Sequence, residues 1–155
     1  MLNLIIPSSY TKVIEHSRLA IAFRETLAAL KLDANSSATL RLTNNRVIRQ
    51  YNNAWLGINA PTDVLSFENS YIDPETGEHY LGDIIISYEK ARQQAKAGGH
   101  SLYYEVEMLF VHGLLHLAGY DHDQHDNLTE MSSMQDLILE KIHNPLQNSI
   151  QSAEK

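Results

Sequence analysis

The chain has 155 residues, 43% hydrophobic and 20% charged, with 12 Lys and Arg against 19 Asp and Glu for a formal charge of −7. That length supports one domain with a real core and is short for two. An acidic balance spread along the chain excludes a general nucleic-acid coat, which needs a broad basic surface, and leaves room for a local single-strand site.

The absence of cysteine excludes disulfides and thiolate metal sites, and a cytoplasmic location is expected. No apolar run approaches the roughly 20 residues that cross a bilayer, so no membrane partner is expected. The opening MLNLIIPSSY lacks the basic and long apolar regions of a signal peptide.

Residues 2–6 read as a strand that Pro7 ends. From about Glu15 to Lys31 the positions Leu19, Ala22, Phe23, Leu27 and Leu30 follow helical spacing. ATLRLT, 38–43, alternates as a half-buried strand, with Leu40 and Leu42 on one side and Thr39 and Arg41 on the other. Thr43 or Asn44 caps a helix to about Ala54 whose Val47, Ile48 and Tyr51 face inward. Residues 56–63 read as a loop, VLSF as a short strand, DPETGE as a turn and 79–87 as a longer returning strand, which makes a hairpin. Ser87 caps a helix that Gly98 and Gly99 end. Ser101 starts the next, which Gly119 ends, and Asn127 with Glu130 resembles a capping box for the last, on which Leu128, Met131, Gln135, Ile138 and Ile142 share one stripe.

The expected fold is α+β, a mixed sheet of about four strands packed with helices, with a buried central helix. Residues 1–145 form one metal-dependent hydrolase domain in this reading, and 146–155 a frayed polar tail.

Four of the eight histidines fall within residues 112–125, in HGLLHLAGYDHDQH. The helix from about Tyr103 to Ala118 is apolar on almost every side, which marks a buried central helix. His112 and His116 are four apart and share one face. Buried imidazoles require hydrogen-bond partners or a metal. Gly119 turns the chain and brings His122 toward the pair. Three imidazoles with an open fourth position make a catalytic zinc site rather than a closed structural one. His125 competes with His122 as the third ligand, and the GYDH spacing favours His122. His16, His79, His100 and His143 show no partner pattern and read as structural or solvent-exposed. The same spacing occurs in metzincin proteases, where Glu follows the first His as general base. Here that position is Gly113, which tells against proteolysis and suggests a close approach by another backbone or a ligand.

HGLLHLAGYDH, 112–122, resembles the H-G-x-L-H-L-x-G-Y-D-H signature of the YbeY family of bacterial endoribonucleases, and PTDVLSF (61–67) and LGDIIIS (81–87) resemble its two other characteristic blocks. The resemblance covers roughly Leu40 to Gly119 and continues into the last helix. It implies a zinc-dependent, single-strand-selective endoribonuclease of the cytoplasm. Such an enzyme acts in ribosomal RNA maturation, including 16S rRNA 3′-end processing, and in ribosome quality control. The implied partners are single-stranded RNA, ribosomal RNA and the small ribosomal subunit, with no DNA. One Zn²⁺ per chain is implied, on His112, His116 and His122, which act in catalysis through zinc-bound water.

One departure stands out. The family carries an arginine five positions before the proline of its PTD block, a candidate for the scissile phosphate, within Y-R-x-x-D-x-P-T-D. This chain has Leu56 there and Asn59 at the acidic position. Arg46 and Arg49, on the preceding helix, are the replacement candidates for RNA binding. Asp63 and Asp83 are candidates to orient a ligand histidine, or else serve turns. Thr62 and Ser66 are candidate donors to RNA phosphates or else serve the local backbone, Trp55 and Tyr120 are candidate stacking residues, and Asp121 is a candidate general acid. Two other readings stay open: a zinc-containing ribosome-associated binding factor with weak or no nuclease activity, and a metallopeptidase.

Overall fold

A computed structural model describes residues 1–120 and 125–143. In chain order it contains β1 (Leu2–Ile5), a short 3-10 turn (Ser8–Tyr10), α1 (His16–Ala29), β2 (Ser36–Thr43), α2 (Asn45–Leu56), β3 (Val64–Ile72) and β4 (His79–Ser87). Three helices follow: α3 (Tyr88–Gly98), α4 (Leu102–Leu117) and α5 (His125–His143). The sheet order is β1-β2-β4-β3. β1 and β4 run parallel to β2, and β3 returns antiparallel to β4 as the outer strand of a hairpin. The fold is therefore α+β on a four-stranded mixed sheet, as the periodicities indicate.

Alternation along the strands divides the sheet into two faces. Leu40 and Leu42 of β2 and Ile84 and Ile86 of β4 point to one face, where Leu19 and Phe23 of α1 and Val106, Phe110 and Leu114 of α4 close the main core. Val111 and Leu115, on the far side of α4, pack against Met131, Ile138 and Leu139 of α5. Helix α4 is thus enclosed between sheet and α5, which is why its sequence is apolar nearly all round. The opposite sheet face is covered only in part, where Ile48 of α2 sits on Leu65 and Ile85.

The local signals act as their chemistry requires. Asn44 accepts the Val47 N–H at 2.8 Å and caps α2, and Ser87 and Ser101 cap α3 and α4 in the same way. Gly119, at φ +101°, takes the left-handed turn expected of it. Its N–H donates to the His116 carbonyl, and the Tyr120 N–H reaches back to Leu115, so carbonyls at the end of α4 are satisfied.

Several boundaries differ from the sequence reading. β3 runs nine residues rather than the short VLSF segment, because pairing with β4 continues through Tyr71 and Ile72 beyond an irregularity in register. α2 extends two residues past Ala54, so Leu56 is its last helical residue and not part of a loop. Asn127 lies inside α5, which begins at His125 and not at a cap on Asn127. The tail assigned to 146–155 lies outside the described residues.

Gly113 has a packing reason. A Cβ there would stand 2.8 Å from Ile84 Cγ2 and 3.1 Å from Ser66 Oγ. The bare backbone lets α4 rest on the sheet, and Ser66 Oγ donates to the Gly113 carbonyl at 3.2 Å. The close approach is by side chains of the sheet, Ile84 and Ser66, and not by another backbone as the sequence suggests. Alanine at this position gains up to about 1 kcal/mol of helix propensity and loses about 1–3 kcal/mol to overpacking. Gly113→Ala should therefore lower stability by about 1–2 kcal/mol in chemical denaturation, since Ile84 is a stiff β-branched residue in a central strand. An unchanged or raised midpoint would show that α4 can back away from the sheet freely.

Candidate metal centre and its cleft

His112 and His116 project from the one side of α4 that neither the sheet nor α5 covers completely, and both are half-buried. Their rings meet edge to face with centroids 4.8 Å apart, and their Nε2 atoms are separated by 3.2 Å. Two ligands of one tetrahedral zinc, each about 2.0–2.1 Å from the ion, stand about 3.3–3.4 Å from one another. The pair therefore already has the spacing that a shared cation requires. Gln135 of α5 faces the other side of the first ring, with its Oε1 3.0 Å from His112 Nδ1. An acceptor there holds the proton on Nδ1 and leaves the Nε2 lone pair directed at the His116 side. Among the described residues no third His, Asp or Glu completes a cluster with them. His122 and Asp121 lie outside the described residues, as does the His125 side chain. The two described imidazoles fit zinc in chemistry and spacing.

The pair lies in a cleft of about 600 Å³ whose walls include Asp63 and the β3 residues Val64 to Glu68, together with Trp55 and Leu56 at the end of α2. Leu56 is 60% exposed and lines the cleft together with the histidines. Among the described residues the lining includes two carboxylates, Asp63 and Glu68, and no lysine or arginine. Arg46 and Arg49 are exposed on α2 and do not belong to that lining.

The remaining candidates are placed as follows. Asp63 accepts the Val64 N–H at 2.8 Å through Oδ1 and faces Gln94 through Oδ2. Ser66 ties β3 to α4, as described. His79 bonds Ser70 at 2.7 Å, while His100 and His143 pair with the buried carboxylates of Glu105 and Glu107. His100 and His143 thereby satisfy two buried carboxylates of α4. Two residues that sequence reasoning passed over belong to the site or its border. Gln135 was legible as the one polar member of an apolar stripe. Arg41 gave only the signal of an arginine on the outward side of a strand.

Asp83 lies on the partly open sheet face, between Thr39 of β2 and Phe67 of β3 in register. The Tyr80 hydroxyl donates to its carboxylate and sits 2.8 Å from the Thr39 hydroxyl. It borders a second groove of about 690 Å³ that shares Trp55, Ser66, Phe67 and Glu68 with the histidine cleft.

Fold and site together define a class: an α+β protein whose buried helix presents an i, i+4 histidine pair to an open cleft. A family model described as Endoribonuclease YbeY matches residues 7–143. Relatives bearing that name are 40% identical over 131 residues in Moorella thermoacetica, covering 79% of this chain and 83% of the relative. In Mycobacterium ulcerans the match is 39% over 120 residues, 72% of this chain and 67% of the relative. The chain belongs to the YbeY family. The solution structure of a Thermotoga maritima protein, 23% identical, superposes with a TM-score of 0.64 over 96% of this chain and 93% of that one, and shares the fold. Among the described residues no helix is long and apolar enough to cross a membrane.

Burial, followed by the bond to Asp83, pushes the Tyr80 phenol from its ordinary value of 10.0 up to about 12. The fold favours the neutral phenol, so its contribution is complete below pH 10 and is lost as pH rises toward 12. Thermal unfolding followed from pH 9 to 12 should show a steeper alkaline loss in the wild type than in Tyr80→Phe. Parallel curves would mean that Tyr80 titrates freely.

Proposed function

We propose that this chain is a zinc-dependent endoribonuclease that cuts single-stranded RNA. Its cellular substrates in this reading are ribosomal RNA precursors, including the 3′ end of 16S rRNA, on or near the small ribosomal subunit in the cytoplasm, with a role in ribosome quality control. The observation that carries the reading is the pair of helix-borne imidazoles, 3.2 Å apart at Nε2, in an open cleft. The relatives' name supplies the reaction class, and the ribosomal context is what the resemblance of the three sequence blocks implies.

His112, His116 and His122 would hold one zinc ion. When bound, that ion supplies Lewis acidity toward a phosphoryl oxygen and makes water a stronger acid at neutral pH. The chain's own contributions surround it. Gln135 fixes the His112 tautomer. Gly113 and Ser66 set the distance between α4 and β3, and so the width of the cleft. Asp63 and Glu68 disfavour a phosphate resting along β3 away from the histidines.

Purified protein should contain zinc and cleave single-stranded RNA, and His116→Ala should lose both. Metal analysis beside one cleavage gel checks this, and unchanged zinc and cleavage in the variant would sink the assignment.

One observation favours a second reading, a zinc-containing ribosome-associated binding factor with weak or no turnover. Leu56 stands exposed at the cleft where the family carries its arginine, and leucine cannot stabilise developing phosphoryl charge. Leu56→Arg separates the two. A severalfold rise in cleavage identifies a weak enzyme, whereas zinc binding and subunit association with no turnover in either form favour the binding factor. A metallopeptidase is the least supported reading, because position 113 packs on Ile84 and Ser66 and offers no glutamate base.

A further inference from the structure

The histidine cleft includes no lysine or arginine among its described residues, yet a cation stands close by. Arg41 is in the adjoining groove of about 690 Å³, on the open face of the sheet. The two hollows share Trp55, Ser66, Phe67 and Glu68, so a strand leaving one enters the other across these residues. The groove floor is set by register. Ile5, Arg41, Ile85 and Leu65 form one row across the four strands, and Asn3, Thr39, Asp83 and Phe67 the next.

One wall is aromatic. The Trp55 ring centroid is 5.8 Å from Phe67, and that of Tyr51 is 6.2 Å from Phe67. Trp55 is 70% exposed, an unusual placement for the chain's sole tryptophan. The Tyr51 hydroxyl accepts from Arg41 Nη1 at 2.8 Å, which holds the guanidinium beside this wall. Carboxylates from Glu68 and Asp83 and the amide of Asn69 complete the lining.

Each element has a counterpart in an unpaired nucleotide. An exposed aromatic wall stacks on a base face. A planar guanidinium stacks on or donates to a base and pairs with phosphate. Carboxylates accept from exocyclic amino groups. A purely apolar ligand would leave Arg41, Asp83 and Glu68 without use, and a bare phosphate would meet two carboxylates and an aromatic wall.

We propose that this groove is a nucleobase subsite, which takes one unpaired base of the RNA strand beside the bond presented to His112 and His116. Arg41 supplies the positive charge that Leu56 does not. The proposal rests on the nuclease reading for its strand and is tested separately from it.

Trp55, as the only tryptophan, makes its fluorescence a direct reporter. A cleavage-resistant 2′-O-methyl adenosine hexamer is titrated into the full-length protein, beside an abasic hexamer of the same length. The adenosine hexamer should quench Trp55 saturably, and the abasic one much more weakly. Arg41→Ala and Arg41→Gln should each weaken binding at least fivefold, with circular dichroism and melting temperature confirming that they fold. Lys96→Ala, at an exposed position of α3 outside both hollows, should leave the quenching unchanged. Equal quenching by the abasic hexamer, or none by adenosine, overturns the proposal, as does binding that ignores both Arg41 variants. Cleavage of unmodified RNA without Trp55 quenching sinks the subsite and keeps the nuclease. Base-dependent quenching without cleavage keeps the subsite and sinks the nuclease.

Discussion

Enclosure of α4 between the sheet and α5 is the constraint on which the rest depends. A helix buried on the sheet side by Val106, Phe110 and Leu114 and on the other by Val111 and Leu115 has little periphery left for polar groups. The two imidazoles, one turn apart, use that remainder and are forced onto a single opening. Imidazoles placed so close must share a proton or a cation. Their orientation is then imposed from outside the helix, by Gln135 on α5 and by the approach of β3 over Gly113. Two packing interfaces meet at the pair, so loss of either loosens the geometry without removing an imidazole.

Electrostatics divide the surface beside the pair into two compartments. The histidine cleft includes Asp63, Glu68 and the exposed Leu56, and the adjoining groove holds Arg41 against Tyr51. A chain of −7 formal charge gains little from long-range steering of an anionic strand. Attraction has to come from short-range features, and here these are a helix-borne histidine pair, an aromatic wall and one guanidinium. That arrangement suits an unpaired strand, whose bases are free to turn toward the protein, better than a duplex, which offers mainly phosphates.

Much of this was legible in residue order. Alternation in ATLRLT located both faces of β2. Apolar residues on all sides of 103–118 marked a buried helix, and Ser101 and Gly119 marked its ends. The details that escaped depend on contacts between segments distant in sequence. Leu56 extends α2 because Gly57 and not Ala54 closes the helix. β3 outruns its apolar VLSF core because backbone pairing with β4 carries polar residues along. Gln135 lies 23 positions from His112 in the chain and meets it only when α5 folds back on α4. Arg41 acquires meaning from Tyr51 and Phe67, which come from another helix and another strand.

The central claim is that His112 and His116 share one zinc ion, with His122 as the third ligand. X-ray absorption at the zinc edge of the loaded protein tests it most directly. A four-coordinate first shell at about 2.0–2.1 Å is expected, with the outer-shell scattering of three imidazoles and one further light atom. A six-coordinate oxygen shell, or a shell with no imidazole scattering, would contradict it.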